Sequence, residues 1–268
     1  MSEQRAFGRL VEGLEPWLDR LVFVGGWAFR LYRLHPSAEI PAYRPVVTLD
    51  ADVAFAEGER LEGSIRQRLV ETGFVENLMG SHDPPVSEYT LGDDPSGFYA
   101  EFLTPLTGSG RRRSGEPYVT VRQAGVTAQR LRHLELLLEA PWSVTVGREW
   151  GLEREHDVRI PNPVSFLVQR LLIHDQRPPE KKAQDILYIH DTLELFGAQL
   201  EQLGGLWRKE LRPTLHVRQQ RAVALAVDTM FGRLDDRIRD AAAIPADRSL
   251  EPERVRQMCL LALGEMLE

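Results

Sequence analysis

The stretch "TLDADVAF", residues 48–55, places two aspartates one residue apart in a run that otherwise reads as a buried strand. A strand sends alternate side chains to one face, so Asp50 and Asp52 project together, their Cα atoms about 7 Å apart. Two carboxylates that close resist ionising together unless a cation lies between them. Burying them on an apolar strand is costly without such compensation. A hard divalent cation, which takes carboxylate and phosphate oxygens, supplies it. The plainer alternative is an edge strand with both aspartates on its solvated face and Leu49, Ala51 and Val53 turned inward.

Upstream, "LVFVGGWAFRLYRL" (21–34) reads as a short buried strand, a glycine pair, and a helix opening directly after it. Gly25 and Gly26 lack a Cβ, which allows close backbone approach to a phosphate where the free N–H groups of a helix start favour anions. A tight strand-to-helix turn explains the same pair. The aspartate pair on the next strand raises its specificity.

The flanking pattern supplies the organisation. Residues 3–20 read as an amphipathic helix with Phe7, Leu10, Val11, Leu14 and Leu18 on one stripe, not as a signal peptide. "GERLEGSIRQRLVETGF" (58–74) has a helical period stopped at Gly73, and "VTAQRLRHLELLLEA" (126–140) is also expected to be helical. "SEYTLG" and "GFYAEFLTPL" flank the turn-rich "GDDPSG", which indicates an antiparallel pair, and "WSVTVGREWGLEREHDVRIPNP" (142–163) breaks like a β-hairpin. From 163 onward every periodic segment is helical. The expected fold class is therefore α+β, a mixed sheet flanked by helices plus a helical C-terminal domain. The change of pattern falls between 141 and 162, giving domains 1–141 and 142–268.

Composition bounds the chemistry. The 268 residues are 43% hydrophobic and 27% charged, the profile of a water-soluble globular chain, and no apolar run is long enough to span a bilayer. A cytoplasmic location is the corresponding expectation. The single cysteine, Cys259, excludes an internal disulfide framework and a cysteine-based zinc site. A net charge of −7 disfavours a general nucleic-acid-binding role, although "GSGRRRSGEP" (108–117) concentrates three arginines in one loop. That loop reads either as a solvated hairpin tip or as a phosphate-binding loop.

Strand, Gly-Gly, helix, then Asp-x-Asp on the following strand resembles the nucleotidyltransferase fold of the DNA polymerase β superfamily. Leu49, Asp50, Ala51, Asp52 and Val53 match its alternating signature. More narrowly, "GGWAFRLYRLHP", "TLDADVAF", "EFLTPL" and "IPNPVSFLVQRLLIHDQRPPEKKAQDILYI" resemble bacterial nucleotidyltransferase-fold proteins related to type IV toxin–antitoxin nucleotidyltransferases, over roughly residues 20 to 195. The resemblance implies a nucleotidyltransferase-type sheet. It implies that Asp50, Asp52 and Glu101 (in "FYAEFLTPL") hold Mg²⁺ or Mn²⁺ while a nucleoside triphosphate (NTP) lies against Gly25, Gly26 and Thr48. It further implies a lysine and an aspartate on a later helix facing the carboxylates, carried here by Lys182 and Asp185, with Arg170 and Lys181 on the nucleotide. Two departures stand out: Gly26 occupies the place where many members have serine, and "HPSAEIPAYRP" (35–45) lengthens the interval before Asp50.

The reaction implied is transfer of a nucleoside monophosphate from an NTP to an acceptor (a tRNA end or other RNA, a protein or a small molecule) with release of pyrophosphate. The alternative is a silent nucleotidyltransferase fold that binds nucleotide or a toxin–antitoxin partner protein. On their own spacing, Lys182 and Asp185 also read as an ordinary exposed helix start. His35, His174 and His190 are more simply packing or surface residues, and Trp142, Trp150 and Trp207 core. No Walker A loop, dinucleotide glycine motif or nucleophile elbow is present. Residues 199–268 carry no motif.

Overall fold

The computed structural model describes residues 2–46, 48–80, 84–92, 97–111 and 118–268. Contacts divide the chain into two compact units, residues 1–34 with 47–161, and residues 35–46 with 162–268. Among the described residues no helix is long and apolar enough to cross a membrane.

The first unit opens with α1 (Glu3–Leu14), whose N-cap Ser2 accepts a hydrogen bond from the Arg5 amide. The expected stripe is there: Phe7, Leu10, Val11 and Leu14 are completely buried, and Leu18 nearly so. The helix stops short of residue 20 because Pro16 imposes a tighter turn over Glu15–Trp17. β1 (Val22–Val24) leads into α2 (Gly25–Leu31), then β2 (Asp50–Ala54) and α3 (Ile65–Glu71). β3 (Phe74–Met79), β4 (Val86–Leu91), β5 (Tyr99–Pro105), β6 (Thr120–Gln123), β7 (Val126–Leu131), β8 (Trp142–Val146) and β9 (His156–Ile160) follow. The strands form one mixed sheet in the order β3-β4-β5-β2-β1-β9-β8, with the β6–β7 hairpin joined to β5 through β7.

One face of this sheet is covered by aromatic packing. Phe7 stacks on Trp27 with ring centroids 4.3 Å apart and meets Phe23 at 4.9 Å and Trp150 at 5.5 Å. Trp27 in turn meets Phe98 edge-on at 5.6 Å. These rings tie α1 and α2 to β1 and to the approach to β5. On the other face, a short 3-10 turn over Glu135–Leu138 brings Leu137 against Val22, Val24, Ala54 and Leu103, with Leu134 beside it.

Three expectations are corrected here. The segment 126–140 is not a helix: β7 and the capping turn replace it. Ala124 (φ 49°) and Gly125 (φ 81°) form a two-residue turn with both residues left-handed, which folds β6 back onto β7. In 58–74 only Ile65–Glu71 is helical, because Gly63 (φ 85°) breaks the chain and Ser64 caps the helix from there. β3, unanticipated, uses residues whose exposed face obscured the alternation. The hairpin of β8 and β9, grouped above with the helical part, joins the sheet through the parallel pairing of β9 with β1.

The second unit contains α4 (Pro163–Ile173), α5 (Pro179–Leu195), α6 (Leu200–Leu206), α7 (Val217–Phe231), α8 (Asp236–Ala243) and α9 (Pro252–Leu267). Asn162 caps α4, accepting from the Ser165 amide at 2.9 Å. The lengthened segment 35–46 belongs to this unit. Glu39 N–H bonds the Leu195 carbonyl at 2.8 Å, the Tyr43 hydroxyl donates to Glu194 at 2.5 Å, and the Arg44 amide donates to Asp247 at 2.9 Å.

Phe7→Ala empties the centre of the four-ring cluster, and loss of a fully buried phenylalanine costs about 3–5 kcal/mol. Denaturant unfolding of the variant is expected to show a loss in that range. A loss below about 1 kcal/mol would show that the rings do not hold α1 to the sheet.

Candidate active site

β2 alternates as its sequence requires. Ala51 and Val53 are completely buried, whereas Asp50 and Asp52 turn to the opposite face and are half-buried. β5 runs parallel to β2 in the register Asp50↔Tyr99 and Asp52↔Glu101. Residues opposite one another share a face, so Glu101 lies beside Asp52. β4 then places Glu88 opposite Glu101, and β3 places Asn77 opposite Glu88. A row Asn77–Glu88–Glu101–Asp52 therefore crosses four strands. Farther along the same face, Ala54 and Leu103 are sealed under Leu134 and Leu137, so the acids stand at the border of a small apolar cap.

Glu88 was not among the sequence-predicted residues. The signal was present: it is the sole charged residue of "VSEYTL", between the buried Ser87 and Tyr89. Thr90 turns its hydroxyl toward Glu88 at 3.5 Å and accepts from Asn77 Nδ2 at 2.8 Å.

The crowding shows in proton affinities. The Glu101 carboxyl is pushed above its ordinary value by burial, then by the charges of Glu88 and Asp50. The Tyr99 phenol is pushed up to about 12 by burial and by the negative charges of Asp50, Glu101, Glu88 and Asp52. It therefore stays a neutral hydroxyl on an anionic face.

The backbone of Gly25 abuts this face. Its φ is +64°, a region that side chains rarely adopt, and a Cβ there would overlap Asp52 Oδ2 and lie 3.2 Å from Asp52 Cγ. The register Val24↔Asp52 between β1 and β2 enforces the approach. The first glycine is thus required twice, by conformation and by the aspartate it touches. Gly26 follows as the second residue of α2, and Thr48 lies two residues before β2, both half-buried.

The remaining sequence-predicted residues belong to the second unit. Asp185 is completely buried on α5; one oxygen accepts from Arg170 Nη1 at 2.7 Å and the other from Arg177 Nε at 3.0 Å. Arg170 lies over the rings of Phe166 and Tyr188, 4.9 and 5.4 Å from their centroids. The pair ties α4 to α5. Lys181 is exposed and reaches Gln184 at 3.4 Å, while Lys182 is half-buried in the first turn of α5. His174 and His190 are buried, and His35 caps the Ser37 amide through Nδ1 at 3.2 Å, all in keeping with packing roles. Trp150 and Trp207 are buried and Trp142 half-buried. Of the arginine-rich loop, Arg111 is exposed, and Arg112 and Arg113 lie outside the described residues.

Among the described residues, three ligand-type atoms lying within 4.8 Å of one another are found at His190, Asp191 and Glu194. A guanidinium already fills that group. Arg248 Nη2 donates to Asp191 at 2.6 and 2.5 Å, and Arg248 Nη1 stands 3.6 Å from Glu194. The oxygens of the sheet acids are spread more widely, and they are hard donors of the kind that suits Mg²⁺ or Mn²⁺.

A family model described as "Nucleotidyltransferase" matches residues 5–211 of the chain. Among solved structures the chain is similar to MenT4, a nucleotidyltransferase toxin from Mycobacterium tuberculosis H37Rv. That likeness has 13% identity and a TM-score of 0.36, and covers 98% of this chain and 82% of that one. No curated protein matches.

Two measurements check the electrostatic reading. A carboxyl whose folded-state pKa lies above its ordinary 4.5 makes the folded protein bind more protons than the unfolded chain, so its ionisation removes stability as pH rises past that value. Glu101→Gln, which cannot ionise, is expected to melt higher than wild type at neutral pH, with the gap closing toward pH 4. A variant that melts lower at neutral pH would overturn the reading. Gly25→Ala is expected to lose about 1–3 kcal/mol, because it combines a strained φ with displacement of the Asp52 carboxylate. Urea unfolding measures it, and an unchanged midpoint would show that the turn tolerates a side chain.

Proposed function

Because the chain belongs to a nucleotidyltransferase family, we propose that it transfers a nucleoside monophosphate from an NTP to an acceptor, using Mg²⁺ or Mn²⁺ held by Asp50, Asp52 and Glu101. The observation that carries this reading is the β2–β5 register, which sets Asp52 beside Glu101 on one half-buried face against the Gly25 turn.

The residues fit such an ion by the chemistry of their donors and by the charge that it would neutralise. When bound, the cation neutralises phosphate charge and polarises the reacting oxygens. Asp50 and Asp52 hold the triphosphate's counter-ion and fix its position; such transfers depend mainly on positioning and charge neutralisation. Glu101 takes the proton of the acceptor hydroxyl as its oxygen bonds to the α-phosphorus, and the α–β bridging bond breaks to release pyrophosphate. Gly25 and Gly26 let the backbone come close to the triphosphate, Thr48 borders it, and the Tyr99 hydroxyl remains a hydrogen-bond donor beside it. The acceptor is RNA, a protein hydroxyl or a small molecule, and α-labelled NTP incubated with a cell extract distinguishes the three.

Adding Mg²⁺ and NTP together is expected to raise the melting temperature, because a ligand bound only by the folded state stabilises it. Asp52→Asn, which removes charge but little volume, is expected to abolish the rise and leave the ligand-free melt near wild type. A variant that keeps the full rise would overturn the assignment. Pyrophosphate release distinguishes turnover from a silent fold: a melting rise without pyrophosphate in the presence of extract supports nucleotide binding alone.

A further inference from the structure

β3 ends the sheet; among the described residues it is paired with β4 alone. Proteins blunt such edges with lysine, proline or bulges, since an open row of backbone donors and acceptors pairs with any suitable strand. The six residues of β3, "FVENLM", contain none of these devices. They also expose apolar surface: Val75 is 46% accessible, Leu78 62% and Met79 47%. The one charge on the strand, Glu76, is already neutralised by Arg66 Nε at 2.6 Å, and it accepts from the Tyr89 hydroxyl at 3.0 Å. A second neutral, apolar edge would meet no electrostatic barrier here.

We propose that β3 pairs antiparallel with β3 of a second copy of this chain, across a twofold axis at Asn77. The register follows from chemistry. Opposed residues in an antiparallel pair share a face, so a twofold axis normal to the sheet must pass through a residue, because an axis between residues would join opposite faces. An axis at Glu76 sets two glutamates against each other. An axis at Leu78 opposes Met79 with Asn77 and leaves Val75 without an apolar partner on the strand. The axis at Asn77 sets Val75 against Met79 twice, Leu78 against the aliphatic stem of Glu76 twice, and amide against amide at the centre. Such a contact is isologous and closes at two copies instead of growing a filament. One short strand pair is a small interface, so the dimer forms in the micromolar range.

The test is sedimentation of the purified full chain from about 1 to about 300 µM, a range that brackets micromolar association. Wild type is expected to shift from monomer to dimer. Leu78→Lys and Met79→Lys, at exposed positions, are expected to weaken dimerisation at least tenfold while melting like wild type. Under oxidation Asn77→Cys is expected to form a disulfide-linked dimer, with wild type as a silent control because Cys259 is completely buried. Val75→Cys, which faces Met79, is expected not to form one. Wild type that stays monomeric throughout, lysine variants that dimerise as wild type does, a ladder of larger species, or Val75→Cys cross-linking as readily as Asn77→Cys would each overturn the proposal. The lysine variants keep the test decisive if Asn77→Cys fails to fold.

Discussion

Like charges held in register cost free energy, and the first unit places four of them on one sheet face. Asp50 and Asp52 follow from the period of two along β2; Glu101 and Glu88 follow from the parallel and antiparallel pairings on either side of β5. None of these positions is adjustable, because Ala51, Val53, Ala100 and Phe102 between them are completely buried and lock each strand's orientation. A one-residue slip would turn the acids into the core and the apolar residues outward. The packing that makes the sheet stable is therefore what forces the carboxylates together.

The same reasoning explains the geometry upstream. β1 pairs antiparallel with β2, so the end of β1 meets Asp52, and the chain must leave the sheet immediately beside a carboxylate. Only a residue without a Cβ makes that exit, at φ +64°. Trp27, three-ring neighbour of Phe7, Phe98 and Trp150, then pins the start of α2 from the opposite side. The turn answers to two constraints, a carboxylate on one side and aromatic packing on the other.

The aspartates, the glycine turn and the helical second half were legible because each rests on a local rule: alternation, absence of Cβ, or a sustained helical period. β7 was not. Its residues carry helix-compatible leucines and arginines, and what makes it a strand is the Ala124–Gly125 turn and the pairing with β5, a tertiary choice. Glu88 was missed for a related reason, since a lone glutamate on a strand gains meaning only when the register puts it opposite another. The arginine partners of Asp185 are close in sequence, at positions 170 and 177, yet the spacing alone did not reveal that both oxygens would be engaged.

The two units treat buried acid in opposite ways. In the second unit Asp185 is held by Arg170 and Arg177, and Asp191 by Arg248, which also lies 3.3 Å above the Tyr43 ring. Removing a buried charge's partner is far more damaging than never burying the charge, so these pairs are fixed parts of the helical core. On the sheet, Glu101 is subject to burial and to the charges of Glu88 and Asp50, and Tyr99 to the charges of four acids. The buried acids of the helical unit are thus paired with guanidinium groups of their own chain, whereas Glu101 on the sheet meets burial and neighbouring carboxylates.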